Sequence, residues 1–207
     1  MYIPDLYKNE NQEEIEKFLQ NNGFAILINT TNGKHWGTHT PLFLEKKGEK
    51  LFFSGHISKE NPQAKSLHNG EEILAIFTGP HTYISSSWYD HENAPTWNYI
   101  AVHVYGKIQI LNSDETIVSL KKLTHKYETK QEKPLNFEEL SPQTMRQAQA
   151  VLAFKIQVTQ IDAKKKLSQN RDDKNYERIL TQLEKSNEIN DNQIALEMRR
   201  NRENFNL

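Results

Sequence analysis

Cysteine is absent from all 207 residues. That excludes disulfides, thiolate zinc sites, iron-sulfur clusters and a cysteine nucleophile, and it fits a reducing compartment. The eight glycines never form G-x-G, so the dinucleotide fingerprint and the glycine-rich phosphate loop are both missing, as is a G-x-S-x-G nucleophile elbow. No run approaches the ~20 apolar residues that a membrane span requires, and Met1 to Glu10 carries neither the basic nor the apolar stretch of a leader. The chain therefore reads as cytoplasmic, with no membrane partner. Excess charge is lacking too: 26 Lys and Arg against 27 Asp and Glu leave a net charge of −1. Any contact with DNA must then come from a local patch. The best candidate gathers Lys164, Lys165, Lys166, Arg171, Lys174 and Arg178, but Asp162, Asp172, Asp173 and Glu177 are interleaved with them, the pattern of a solvated, self-compensating surface.

What the chain does have is an aromatic concentration. Gly79 to Tyr89, G-P-H-T-Y-I-S-S-S-W-Y, is followed by P-T-W-N-Y at Pro95 to Tyr99. Rings with a polar handle suit a flat, partly polar ligand, and the same residues build structural corners. Around this segment the pattern is of short hairpins. Ile15, Phe18 and Leu19 predict a helix over Gln12 to Gln20, with Asn11 and Glu14 as a capping box. Phe24 to Ile28 and His35 to Glu45 flank Asn32-Gly33, a hairpin signal. A turn at Lys46 to Lys50 leads to a third strand, Leu51 to His56. Asn61-Pro62 opens a helical turn that Asn69-Gly70 ends, and Ile73 to Thr78 is a fourth strand that Gly79-Pro80 breaks.

Asn98 to Leu111 alternates as a fifth strand, and Leu152 to Thr159 as a sixth. Between them Ile117, Leu120, Leu123 and Tyr127 mark a helix, and Ser141-Pro142 starts another. After Leu167 the chain turns to polar helix, with one stripe at Tyr176, Ile179, Leu180 and Leu183 and a possible cap at Asp191. Such helices are too polar to fold alone. The architecture expected is mainly β with α: a six-stranded antiparallel barrel, because closure removes exposed edges, with peripheral helices. Residues 1–170 would form the barrel domain and 171–207 a helical extension.

Chemistry points to one turn. Ser54 to Gln63, S-G-H-I-S-K-E-N-P-Q, brings His56, Ser58, Lys59 and Asn61 to a strand end and helix start, where side chains and free backbone N–H groups could meet an anion; a capped surface turn is the alternative. A metal is not expected, because His35 and His39 sit on a strand and lie about 13 Å apart at ~3.3 Å per residue. Lys166 to Arg171, K-L-S-Q-N-R, reads equally as a polar clasp or a linker.

Several segments together resemble the PaiB family, FMN-binding proteins described as negative transcriptional regulators: M-Y-I-P at the start, T-H-T-P-L at Thr38 to Leu42, G-H-I-S-K-E-N-P-Q, the aromatic segment, P-T-W-N-Y and K-L-S-Q-N-R. The resemblance implies an FMN-binding split barrel and a homodimer with FMN in the cleft between subunits. It implies that His56, Ser58 and Lys59 hold the phosphate, that Thr38 and His39 line the flavin, and that Trp97 and Asn98 approach its ring or ribityl chain. Gln169 and Arg171 would reach across from the other subunit. One departure is that the family commonly has Ala-Arg where Ser58-Lys59 stands, and Lys replaces an Arg charge without its two-pronged geometry. The functions implied are a flavin-dependent regulator or redox sensor, with an FMN-dependent oxidoreductase acting on a small molecule as the alternative; haem binding, suggested by related split barrels, is a third.

Overall fold

The computed structural model describes residues 1–205. Six antiparallel strands, β1 (Phe24–Thr31), β2 (Lys34–Lys47), β3 (Lys50–Ser58), β4 (Glu72–Ile84), β5 (Thr96–Ile110) and β6 (Val151–Lys166), close into a barrel in the order β1-β2-β3-β6-β5-β4. Helices α1 (Gln12–Asn21), α2 (Ser113–Glu128), α3 (Pro142–Met145), α4 (Asp173–Lys185) and α5 (Ile189–Phe205) complete a mixed α+β fold. Of the expected 171–207 extension, the last two positions lie outside the described residues.

Local chemistry accounts for most of these elements. Asn32 and Gly33 both take positive φ, 51° and 73°, and Thr31 pairs with Lys34; two left-handed residues are what a two-residue hairpin turn needs to match strand twist. Ser141 caps α3 by accepting from the Thr144 N–H, with Pro142 in its first turn. Asn11 accepts from the Glu14 N–H at 3.1 Å, but the box is not reciprocal: the Glu14 carboxylate serves Asn9 and Lys165 instead.

Two expectations change. β4 does not break at Gly79-Pro80 but runs on to Ile84. Its buried positions switch from Ile73, Ala75 and Phe77 to Thr82 and Ile84, so the dipeptide shifts the inward parity by one residue. The β1 register covers only Leu74–Ile76 of this strand, and Pro80, which has no N–H to give, falls beyond it. On α2 the buried positions are Thr116, Ser119 and Leu123; small hydroxyl residues share the inward face, which an apolar-only reading overlooks.

The chain divides into two compact units: Met1–Ile15, Thr78–Val102 and Asp162 onward in one, Glu16–Phe77 and His103–Ile161 in the other. The second is centred on barrel residues such as Leu27, Leu42, Phe53, Phe77 and Ile156, all fully buried, with the Phe53 and Phe77 rings 5.0 Å apart. In the first, Tyr176, Ile179, Leu180 and Leu183 of α4 are buried with Ile194 and Met198 of α5, and the Tyr176 hydroxyl donates to the Met198 carbonyl at 2.6 Å. The polar helices, too polar to fold alone, thus pack on one another within one chain.

Gly106 marks the tightest approach in the barrel. A Cβ there would lie 2.5 Å from Ile156 Cγ2 and 2.6 Å from the Gln157 carbonyl oxygen, and backbone cannot yield cheaply. Gly106→Ala is expected to destabilise the fold by about 1–3 kcal/mol; an unchanged denaturant midpoint would contradict this packing.

Candidate functional site

The turn after β3 carries the densest polar chemistry in the second unit. Asn61 organises it: its Oδ1 accepts from the Gln63 N–H at 2.9 Å while its Nδ2 donates to Thr38 Oγ1 at 2.8 Å. The expectation of free backbone N–H groups here is not met. Lys59 N donates to the Ala150 carbonyl, Asn61 N to Ser58, Ala64 N to Asn61 and Glu60 N to Ser58 Oγ. Pro62 has no N–H, so from Lys59 to Ala64 the backbone donors are already used. The helical turn is also only four residues, Pro62–Lys65. Any anion bound here must be held by side chains.

Those side chains retain donors. Thr38 Oγ1 and Ser58 Oγ each accept a bond, which leaves each hydroxyl proton to give. Lys59 Nζ donates to the Gln149 carbonyl at 2.7 Å, one of an ammonium's three donors. Ser58, Lys59 and Glu60 are exposed, Thr38 and Asn61 half-buried.

His56 and His39 are placed differently. His56 lies on the β3 face shared with Ser54 and Ser58, opposite the buried Gly55 and Ile57. Its Nδ1 is buried and has no hydrogen-bond partner among the described residues. Burial holds the imidazole below its ordinary value, so it is neutral in the fold near pH 7. Thr38 and His39, adjacent on β2, project to opposite faces: Thr38 turns to Asn61, and exposed His39 stacks on Phe24 at 5.9 Å.

The first unit gathers the remaining predicted residues. Trp97 and Asn98 are also split by strand alternation. Asn98 is fully buried and exchanges hydrogen bonds with Ser168 at 2.9 and 3.1 Å. Trp97 is 52% exposed and sits 6.2 Å from His81 and 6.0 Å from Tyr83. His81 and Tyr83 escaped the sequence reading because Gly79-Pro80 was taken as the end of a strand; their i, i+2 spacing on a continuing strand would have put both on one face. The K-L-S-Q-N-R segment is a clasp. Ser168 adopts φ of 60°, rare for a residue with a Cβ, and Gln169 closes the turn by accepting from Leu167 N and donating to the Lys165 carbonyl, both at 2.6 Å. Arg171 lies over the Tyr89 ring at 4.9 Å.

The basic patch is only in part the solvated surface its composition suggested: Lys174 and Arg178 are exposed. Lys164 and Lys165 are buried, Lys164 near the rings of Tyr2, Tyr7 and Tyr99 and Lys165 paired with Glu14. Lys166 donates to Thr96, Lys174 pairs with Asp90, and Arg178 donates to the Trp88 and Tyr89 carbonyls. Each of the six cations has a partner in its own chain.

With this geometry in place, comparison identifies the lineage. Residues 1–160 match the model of a family described as "Putative FMN-binding domain". The chain belongs to this family. It is 42% identical over 196 residues to the protease synthase and sporulation protein PAI 2 of Bacillus subtilis, covering 94% of this chain and 95% of that one. Among solved structures, the flavocytochrome Anf3 from Azotobacter vinelandii matches with a TM-score of 0.61 at 16% identity, over 85% of this chain and 78% of that one. A FAD and heme binding protein from Mycobacterium smegmatis matches at 0.57 and 17%, over 77% and 73%. At such identities the structural likeness describes the fold. No described helix is long and apolar enough to cross a membrane.

His56 makes stability pH-dependent in a defined window. The unfolded chain takes up a proton near pH 6.5, whereas the buried ring resists it. The contribution is fully present above that pH and is lost as pH falls from about 6.5 to the lower folded value. Unfolding midpoints measured from pH 7.5 to 5.5 should fall less in His56→Gln than in the wild type; parallel profiles would refute this.

Proposed function

We propose that this PaiB-type protein binds FMN, with the phosphate held by the Lys59 ammonium and the hydroxyls of Ser58 and Thr38. The observation that carries the reading is the exhaustion of backbone donors from Lys59 to Ala64 beside side chains that keep theirs. An ammonium and two hydroxyls suit a phosphate ester. Asn61 would hold Thr38 in register with the turn, and neutral His56 would stand beside it without adding charge. Bound FMN would supply redox chemistry at its ring; the chain's part is to bind and orient it. Trp97 is an exposed ring that a flat ligand could meet, while buried Asn98 would act indirectly, by fixing Ser168. Gln169 closes its own turn, and Arg171 lies on Tyr89; both would approach a flavin only from a second copy, in the homodimer this reading includes. Residues 1–170 would be the flavin-binding portion and 171–207 the extension.

As a regulator or redox sensor, the protein would act in the cytoplasm through its flavin state. Direct contact with DNA gains little support, since Lys164 and Lys165 are buried and the exposed Lys174 is paired with Asp90. The exposed group of His81, Tyr83 and Trp97 favours a second reading, an FMN-dependent oxidoreductase acting on a small planar molecule. Turnover of NADH or NADPH with flavin present would select it.

Calorimetric titration of the wild type with FMN is expected to show binding, weakened about ten- to a hundredfold in Lys59→Ala and largely retained in Lys59→Arg. A wild type that ignores FMN would overturn the proposal. Sedimentation at micromolar concentration should find a dimer, and a monomer would remove the shared-cleft part.

A further inference from the structure

Gln63 is 0% exposed, although it belongs to a surface turn whose neighbours Glu60 and Pro62 are exposed. Its Nε2 donates both to the Leu27 carbonyl and to Asn29 Oδ1, each at 3.1 Å. Asn29, itself buried, passes the connection on: its Nδ2 donates to Ser66 Oγ at 3.0 Å and to Glu71 Oε1 at 3.1 Å. Ser66 Oγ donates back to the Gln63 carbonyl at 2.8 Å, and Glu71 Oε2 accepts from the His68 N–H. The turn is thus riveted to β1 by one amide. That amide is not placed without cost, because Gln63 Oε1 is buried with no donor among the described residues. An apolar side chain would leave no such acceptor stranded.

The backbone of the same residue completes the link to the candidate anion site. Gln63 N–H donates to Asn61 Oδ1, and Asn61 Nδ2 donates to Thr38. Rotation of Asn61 is therefore limited from one side by β2 and from the other by a residue whose side chain is locked to β1.

We propose that Gln63 is the positioning residue of the phosphate-binding turn, its buried amide on Leu27 and Asn29 holding Asn61, and through it the Thr38 hydroxyl, in the arrangement that favours a phosphorylated flavin over an unphosphorylated one. The inference rests on the FMN reading above. It concerns the contribution of the phosphate, which riboflavin lacks and FMN carries on an otherwise identical frame.

The test compares FMN and riboflavin affinity, by calorimetry or flavin fluorescence, in the full-length wild type and Gln63→Met, which keeps the length of the side chain and removes its donors. The expected result is a preference for FMN in the wild type that falls about tenfold in Gln63→Met, the size of one well-placed buried hydrogen bond, with riboflavin affinity within about twofold of wild type. Asn29→Ala, which removes one of the two acceptors together with the bonds from Asn29 to Ser66 and Glu71, should lower the same ratio, and carries the test where Gln63→Met does not fold. An unchanged ratio in a folded variant, or equal loss for both ligands alongside a lower melting temperature, would overturn the inference and reduce Gln63 to a structural tie. A wild type that binds both flavins equally would instead remove the phosphate reading itself, and this inference with it.

Discussion

Asn61 uses both ends of one short amide, accepting from the backbone two residues on and donating to a hydroxyl on β2. The polar chemistry of the second unit hangs on that double use. With Asn61 held, the turn from Ser58 to Ala64 uses up its backbone donors, within itself except for Lys59, whose N–H reaches the Ala150 carbonyl, and the donors left over are on side chains. A glycine loop would have offered backbone N–H groups; here the remaining donors sit on side chains.

The first unit is organised by a comparable device. Asn98 and Ser168 exchange hydrogen bonds out of solvent, and a serine in a left-handed conformation is tolerated because Gln169 and Asn98 together over-determine it. Buried lysines follow the same logic. Lys165 leaves water because Glu14 neutralises it, and Lys164 lies among tyrosine rings that favour a cation. Lys164 and Lys165 are thus spent on internal contacts, which their number in the sequence does not reveal.

Much of the fold was legible before the structure. Asn32-Gly33 read as a hairpin because two left-handed residues leave little alternative, and the α4 stripe followed from 3.6-residue periodicity. Some of the candidate site was legible as well: Ser58, Lys59 and Asn61 do share a turn, whereas the bond from Asn61 to Thr38 was not readable from the sequence. Gln63 was visible in the motif but silent, since nothing local separates a buried glutamine from an exposed one. His81 and Tyr83 were hidden by a dipeptide that normally ends a strand.

Local order of residues determined the turns, the strand faces and the helix stripes of this protein, because those depend on φ preferences and on periods of 2 and 3.6 residues. Tertiary structure alone decided which polar groups are spent and which remain. Gln63 meets Leu27 and Asn29, Lys59 meets Gln149, and Asn98 meets Ser168 across 34 to 90 residues of chain. A hydrogen bond over such a separation is set by how strands are laid side by side, and no stretch of neighbouring residues encodes it.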